Sequence, residues 1–145
     1  MTFYTIGFTQ KSAETFFELL KNNGVKKLVD VRINNTSQLA GFAKYPDVKY
    51  FVKEICGIPY EHIVDFAPTK ELLKGYQQKE VTWDQYVVIY RNLLNNRHIL
   101  QKYDMSRFDG ACFMCSEDMP TQCHRRLLVE FIKESNPDVV IKHLR

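Results

Sequence analysis

Apolar residues follow two alternating patterns along the chain: short unbroken runs, and rows spaced three or four residues apart. The unbroken runs are typical of buried strands, and the spaced rows are typical of amphipathic helices. Strands are predicted over residues 3–7, 28–32, 58–64, 110–114 and 139–144. Helices are predicted to begin at Ser12, Pro46, Lys70, Thr82 and Gln122. Residues 33–45 lack a period and are predicted to form a loop, while residues 97–105 favour neither helix nor strand.

The order of these elements predicts the fold class. Strand, helix and strand follow one another within about thirty residues, which is the length of a βαβ unit with parallel strands. We therefore expect one α/β domain over residues 1–145, a three-layer, Rossmann-like fold with a mostly parallel sheet of about five strands flanked by helices. The fourth helix carries an aromatic row, Trp83, Tyr86 and Tyr90, which we expect to pack in the core.

Composition and net charge predict where the protein is located and which ligands it is compatible with. The chain is 45% apolar and 26% charged, as in ordinary globular proteins. It has no basic segment leading into an apolar stretch, and no apolar run approaches the roughly 18 residues of a membrane span. We therefore expect a cytoplasmic protein with no membrane partner and with reduced cysteines. The net charge of +3 comes from scattered lysines, which favours a solvated surface over a nucleic-acid patch and is compatible with an anionic ligand.

Residues 112–126 are the part of the chain richest in chemically active side chains, with three of its four cysteines. The segment joins a predicted strand to a predicted helix, and Thr121, after a proline, is the expected N-cap. Cys123, His124 and Arg125 are then expected in the first helical turn. Unpaired N–H groups and the positive end of the helix dipole favour anions there and lower the pKa of a thiol.

Further polar residues follow the other predicted strands, at the sheet edge where ligands of open α/β folds bind. Asp30 and Arg32 share one face of their strand because their spacing is two. They form either a structural ion pair or part of a site, and the sequence leaves both interpretations open. We expect one shared site, with catalytic Cys115, Glu117, Cys123 and His124 and ligand-binding Thr9, Asp30, Arg32, Ser37, Ser116 and Arg125.

These positions also carry the motifs of a known family. The chain resembles the domain of unknown function 488 family in five segments, namely Thr5-Ile6-Gly7-Phe8-Thr9, Asp30-Val31-Arg32, Tyr60, Cys115-Ser116-Glu117 and Cys123-His124-Arg125. The family usually has His and Ser where this chain has Phe8 and Thr9, and a proline where it has Ile33. The resemblance implies a single α/β domain from bacteria or archaea, and it implies no established activity.

Three functions are compatible with these residues. The first is a small enzyme in which Cys123 is a thiolate, His124 or Arg125 stabilises it and Glu117 handles protons, with a phosphate-bearing substrate such as a nucleotide or nucleic-acid component. The second is a non-catalytic anion-binding or redox-sensing module with a reversible Cys115–Cys123 disulfide. The third is a zinc site formed by Cys112, Cys115, Cys123 and His124. Adjacent helical residues diverge by about 100°, however, so we expect no metal shared by Cys123 and His124 and only sub-stoichiometric zinc. The sequence identifies no cofactor and does not define the oligomeric state.

Overall fold

Helices and strands alternate through the chain in a computed structural model that describes residues 1–36 and 40–145. The strands are β1 (Thr2–Gly7), β2 (Lys27–Asp30), β3 (Tyr60–His62), β4 (Ala111–Cys115) and β5 (Val140–Leu144). The helices are α1 (Ala13–Asn22), α2 (Asp47–Cys56), α3 (Lys70–Gln77), α4 (Trp83–Asn96), α5 (Ile99–Lys102) and α6 (His124–Ser135). None of the helices within these two ranges has both the length and the apolar content that crossing a membrane requires.

The strands form one sheet in the order β3-β2-β4-β1-β5, and every neighbouring pair is parallel. This confirms the predicted α/β class, with a sheet that is parallel throughout. β4 lies between β1 and β2, so the chain passes from β1 through α1 to a strand that is not its neighbour. The carboxyl ends of these three strands therefore meet at one edge of the sheet, where ligands of such folds bind.

Helices cover both faces of the sheet, giving two hydrophobic cores. The first core contains Phe113 with residues of α3, α4 and α6, and the second contains Met114 with residues of α1 and α2. Successive side chains of a strand point to opposite faces. Cys115 therefore lies in the first core and Cys112 in the second, so these two cysteines do not share a site.

Most helix starts follow their sequence signals. The Ser12 hydroxyl accepts the Thr15 N–H at 3.1 Å, and Thr82 and Gln85 form a complete capping box at the start of α4. Strand lengths differ more from the prediction. β2 ends at Asp30 instead of Arg32, and β3 covers only three of the seven residues in its predicted range.

The start of α6 is a correction. Cys123, and not Thr121, is its N-cap residue, so the helix begins at His124 and Cys123 lies outside the first turn. Cys123 has an extended backbone, with φ −136° and ψ 140°, and its side chain makes no capping hydrogen bond. The thiol still lies at the positive end of the helix, but its direction is set by extended geometry and not by the helical rotation of about 100° per residue.

Candidate functional site

A cleft of about 770 Å³ opens beside the carboxyl ends of β2 and β4. Its volume lies within the range of roughly 300–1,000 Å³ that small-molecule sites occupy. The lining combines polar residues of the β4–α6 connection with aromatic residues from α3 and α4; its members include Cys115, Ser116, Glu117, Cys123, His124, Tyr76, Trp83 and Tyr86. Six of the ten site residues that we predicted from the sequence line this cleft: Arg32, Cys115, Ser116, Glu117, Cys123 and His124.

Two thiols and an imidazole converge on the floor of this cleft. The Cys115 Sγ, the Cys123 Sγ and a ring nitrogen of His124 all lie within 4.8 Å of one another, and the three residues are buried. β4 supplies Cys115, and the start of α6 supplies the other two. The predicted divergence of Cys123 and His124 is wrong, because only His124 is helical.

The orientation of His124 follows from its partners. Its Nε2 lies 2.8 Å from the Val31 carbonyl oxygen, and its Nδ1 lies 3.6 Å from the Cys115 Sγ. A carbonyl oxygen can only accept a hydrogen bond, so Nε2 carries the proton. The other ring nitrogen, Nδ1, then faces the sulfur atoms.

The two cysteines titrate in opposite directions. Burial raises the pKa of Cys123, but the hydrogen bonds from Cys115 and His124 and the positive charge of Arg125 outweigh it and lower that pKa well below its ordinary value. The hydrogen bond to Cys123, together with burial, raises the pKa of Cys115 well above its ordinary value. The pair therefore favours ionisation of Cys123 over Cys115, with the Cys115 thiol as the hydrogen-bond donor.

Two residues that we predicted to bind ligand instead form hydrogen bonds to the backbone of the β4–α6 connection. The Thr9 hydroxyl and N–H both donate to the Ser116 carbonyl, at 2.8 and 3.1 Å. The buried Arg125 guanidinium donates to the carbonyls of Glu117 and Asp118. Within the described chain, Thr9 and Arg125 thus position the loop and do not line the cleft, whereas Glu117 is exposed at its mouth.

Asp30 and Arg32 form a buried, bidentate ion pair. Arg32 Nε and one terminal nitrogen donate to the two Asp30 carboxylate oxygens at 2.9 and 2.8 Å, and the Tyr60 hydroxyl donates to the same carboxylate at 2.6 Å. The guanidinium also donates to the Ala43 carbonyl at 2.7 Å and lies 4.9 Å from the Phe8 ring centroid.

These contacts separate the ion pair from the thiols. Phe8 and Ala43 belong to the second core, whereas Cys115 and Cys123 belong to the first. Arg32 contributes to the cleft lining; its Nε and Nη2 atoms bind Asp30 and the Ala43 carbonyl, whereas its buried Nη1 atom has no hydrogen-bond partner among the described residues. Asp30 is not among the lining residues that the described ranges provide. The contacts support the structural interpretation of the pair. Ser37 lies outside the described residues.

The aromatic lining was not predicted from the sequence. Tyr86 and Tyr90 are buried in the first core, as expected, but Trp83 and Tyr76 are only partly buried, and Trp83, Tyr86 and Tyr76 line the cleft. Periodicity could not separate core from cleft, because both lie on the same face of α4. The position of Trp83, immediately after the N-cap, was the one available signal, because a helix end rarely reaches the centre of a core.

Comparison with known proteins agrees with the motifs. Residues 12–132 match the family described as Domain of unknown function DUF488, and the chain belongs to this family. A stretch of 86 residues is 33% identical to the probable GTP 3',8-cyclase of Methanocaldococcus jannaschii, covering 52% of this chain and 28% of that protein. The chain thus spans well under two thirds of that relative's length. No solved structure gives a significant match.

Proposed function

We propose that the protein is a small enzyme that uses the Cys123 thiolate as a nucleophile on a phosphate-bearing, nucleotide-type substrate bound in the cleft. The observation that carries the proposal is the position of Cys123, which has a lowered pKa and lies on the floor of a cleft large enough for such a substrate. A thiolate is a far stronger nucleophile than a thiol, so the environment of Cys123 favours covalent chemistry.

The reaction balances as a two-step hydrolysis. The Cys123 sulfur forms a bond to an electrophilic atom of the substrate while the leaving group departs as an anion with its electron pair. Water then attacks the covalent intermediate, Glu117 accepts the proton of that water, and the bond to sulfur breaks to restore the thiolate. Glu117 suits this role because it is exposed at the cleft and has access to solvent.

Positive groups beside the cleft support the proposal that the substrate has an anionic part. The unpaired N–H groups at the start of α6 lie beside Cys123, and Lys79 lies on the cleft rim. The partial similarity to a protein named as a GTP cyclase is consistent with a nucleotide, although it covers only part of either chain.

A second candidate is a metal-binding protein, and the convergence of Cys115, Cys123 and His124 supports it. Two thiolates and one imidazole form a ligand set that zinc accepts, with a fourth position left open, as in catalytic zinc sites. The His124 bond to the Val31 carbonyl is the kind of outer contact that orients a metal-ligating histidine. Our expectation of sub-stoichiometric zinc therefore no longer rests on ligand geometry.

The thiolate is tested by the pH dependence of alkylation. Iodoacetamide modification of each cysteine is followed by peptide mass spectrometry from pH 5 to 10. Only the thiolate reacts, and its fraction reaches one half at the pKa. We therefore expect the alkylation rate at Cys123 to rise at lower pH than the rate at Cys56, whose pKa is raised by burial. We also expect Cys123 to react faster than Cys56 at neutral pH. The midpoint, unlike the absolute rate, does not depend on how accessible the sulfur is.

Elemental analysis of the same preparation separates the alternatives. One zinc per chain, lost in Cys115→Ser and in His124→Ala but retained in the matched control Cys112→Ala, would establish the metal site. Loss of both Cys115 and Cys123 from the alkylated products, restored by reductant, would instead identify the reversible disulfide. Equal alkylation midpoints for Cys123 and Cys56 in zinc-free, reduced protein would end the nucleophile proposal.

A further inference from the structure

A row of stacked rings runs along α4 from the first core to the cleft. The buried Tyr90 hydroxyl donates to the Phe66 carbonyl at 2.7 Å. The Tyr86 ring stacks on Tyr90 with centroids 6.1 Å apart and planes at 27°, and Trp83 stacks on Tyr86 at 5.3 Å and 13°. Tyr90 and Tyr86 are buried, and Trp83 is partly exposed. The row therefore ends in a ring that reaches the cleft.

Tyr76 of α3 packs against Trp83 and Tyr86 at the cleft end of the row. Its centroid lies 5.6 Å from that of Trp83 and 5.2 Å from that of Tyr86. Its hydroxyl donates to the Gln122 side-chain oxygen at 2.9 Å, and Gln122 directly precedes Cys123. We call Tyr76, Trp83 and Tyr86 the aromatic wall; a hydrogen bond joins it to the segment that carries the thiolate.

We propose that the aromatic wall stacks a planar aromatic ring of the ligand, of the size of a nucleobase. Aromatic rings stack with centroids roughly 4.5–7 Å apart, and a partly exposed ring at the end of such a row provides one more position. Stacking of this kind accepts any base because every base has a π-face. Asn34, Ser116 and Glu117 also line the cleft, so a wholly apolar ligand would leave polar groups without water or partners.

This inference rests on the proposed function only for the reactive end of the substrate, since the ring is held by the wall and not by the cysteines. A ring against Trp83 would place the rest of the ligand in the same cleft as Cys123. The wall therefore accounts for the selection of a ligand that contains a planar ring, and Cys123 accounts for reactivity.

Trp83 is the chain's single tryptophan, so its fluorescence reports directly on the wall. We would titrate the protein with guanosine, guanosine monophosphate and ribose 5-phosphate, correcting for absorbance. We expect saturable quenching by the two compounds that contain a base and none by ribose 5-phosphate. Absence of saturable quenching by both, or an equal response to ribose 5-phosphate, would overturn the proposal.

Variants and a second measurement keep the test independent of folding and of turnover. Tyr76→Leu should weaken guanosine monophosphate binding at least about five-fold, the lower bound for one stacked base. Tyr50→Leu, at an exposed tyrosine of α2 beside the second core, should leave binding unchanged. If Tyr76→Leu unfolds, saturation-transfer NMR of the unaltered protein decides. Stronger saturation transfer to the base protons of guanosine monophosphate than to its ribose protons supports stacking on the aromatic wall. Stronger transfer to the ribose protons contradicts it.

The two proposals fail separately. Quenching by guanosine monophosphate that persists in Cys123→Ser, together with an ordinary alkylation midpoint for Cys123, would retain the ring site and remove the nucleophile. A low alkylation midpoint with no ring-dependent quenching would retain the nucleophile and remove the ring site.

Discussion

At the residue scale, the ion pair between Asp30 and Arg32 shows how one local pattern serves two interpretations. Both charges are almost entirely withdrawn from solvent, and their hydrogen bonds go to each other, to Tyr60 and to the Ala43 carbonyl. Burying ions is costly, so such a pair persists only where its geometry is good and its remaining groups find partners. The bidentate geometry, the Tyr60 hydroxyl and the Ala43 carbonyl supply most of those conditions, whereas the Arg32 Nη1 atom finds no partner among the described residues.

Breaking this pair should destabilise the fold. We expect Arg32→Met and Asp30→Asn each to lower the free energy of unfolding by roughly 3–5 kcal/mol, because each leaves a buried charged partner uncompensated. Urea denaturation followed by far-UV circular dichroism measures the change. The control is Glu134→Gln, which breaks a pair to Arg91 that is largely exposed and should cost about 1 kcal/mol or less. A fully stable Arg32→Met that no longer binds ligand would assign Arg32 to the site instead.

At the scale of elements, the end of β1 and the loop after β4 approach so closely that only glycine fits. A Cβ atom on Gly7 would lie 1.6 Å from the Glu117 carbonyl oxygen, which belongs to the backbone and cannot rotate away. The same loop is fixed by Thr9 and Arg125, so it has little freedom to move. The Thr-Ile-Gly motif therefore serves this contact, and through it the placement of Glu117.

We expect Gly7→Ala to lower stability by at least about 1–3 kcal/mol, the range for forcing an extra methyl group into a packed region. Thermal unfolding followed by far-UV circular dichroism measures it. Gly41→Ala is the matched control, because an added Cβ there meets no atom of the described residues 1–36 and 40–145 within 4 Å. Equal melting temperatures for the two variants would mean that the loop yields easily and that Gly7 is not required by this contact.

The elements also show what the sequence could and could not predict. Apolar runs and rows identified the strands and the main helices because burial determines those patterns, and the length of the βαβ unit predicted that the strands are parallel. The predicted start of α6 was wrong because other hydrogen bonds override the local signal at Thr121. The Cys123 N–H donates to the Pro120 carbonyl, and the Arg125 side chain donates to the Asp118 carbonyl in the preceding loop. Contacts of this kind, like the cleft between α3 and the loop, depend on tertiary placement that no local spacing records.

At the scale of the molecule, one sheet serves both cores. Each central strand sends alternate side chains to the two faces, as Phe113 and Met114 of β4 do. The two cores therefore share their central strands, so loss of those strands would disrupt both cores. The site depends on the same arrangement, because Cys115 is held by the sheet and Cys123 by a helix that packs on one face.

Unfolding should accordingly be a single cooperative transition. We expect Leu20→Ala, in the second core, to cost roughly 2–5 kcal/mol as a fully buried leucine. Trp83 lies beside the first core, yet its fluorescence should report the whole of that loss, with the same urea midpoint as far-UV circular dichroism. Leu94→Ala, buried in the first core, is the matched variant and should shift both signals together in the same way. The opposite result would be a Leu20→Ala variant whose circular dichroism midpoint falls while its Trp83 fluorescence midpoint stays unchanged. The two faces of the sheet would then unfold separately, and the cleft could persist without the α1 and α2 layer.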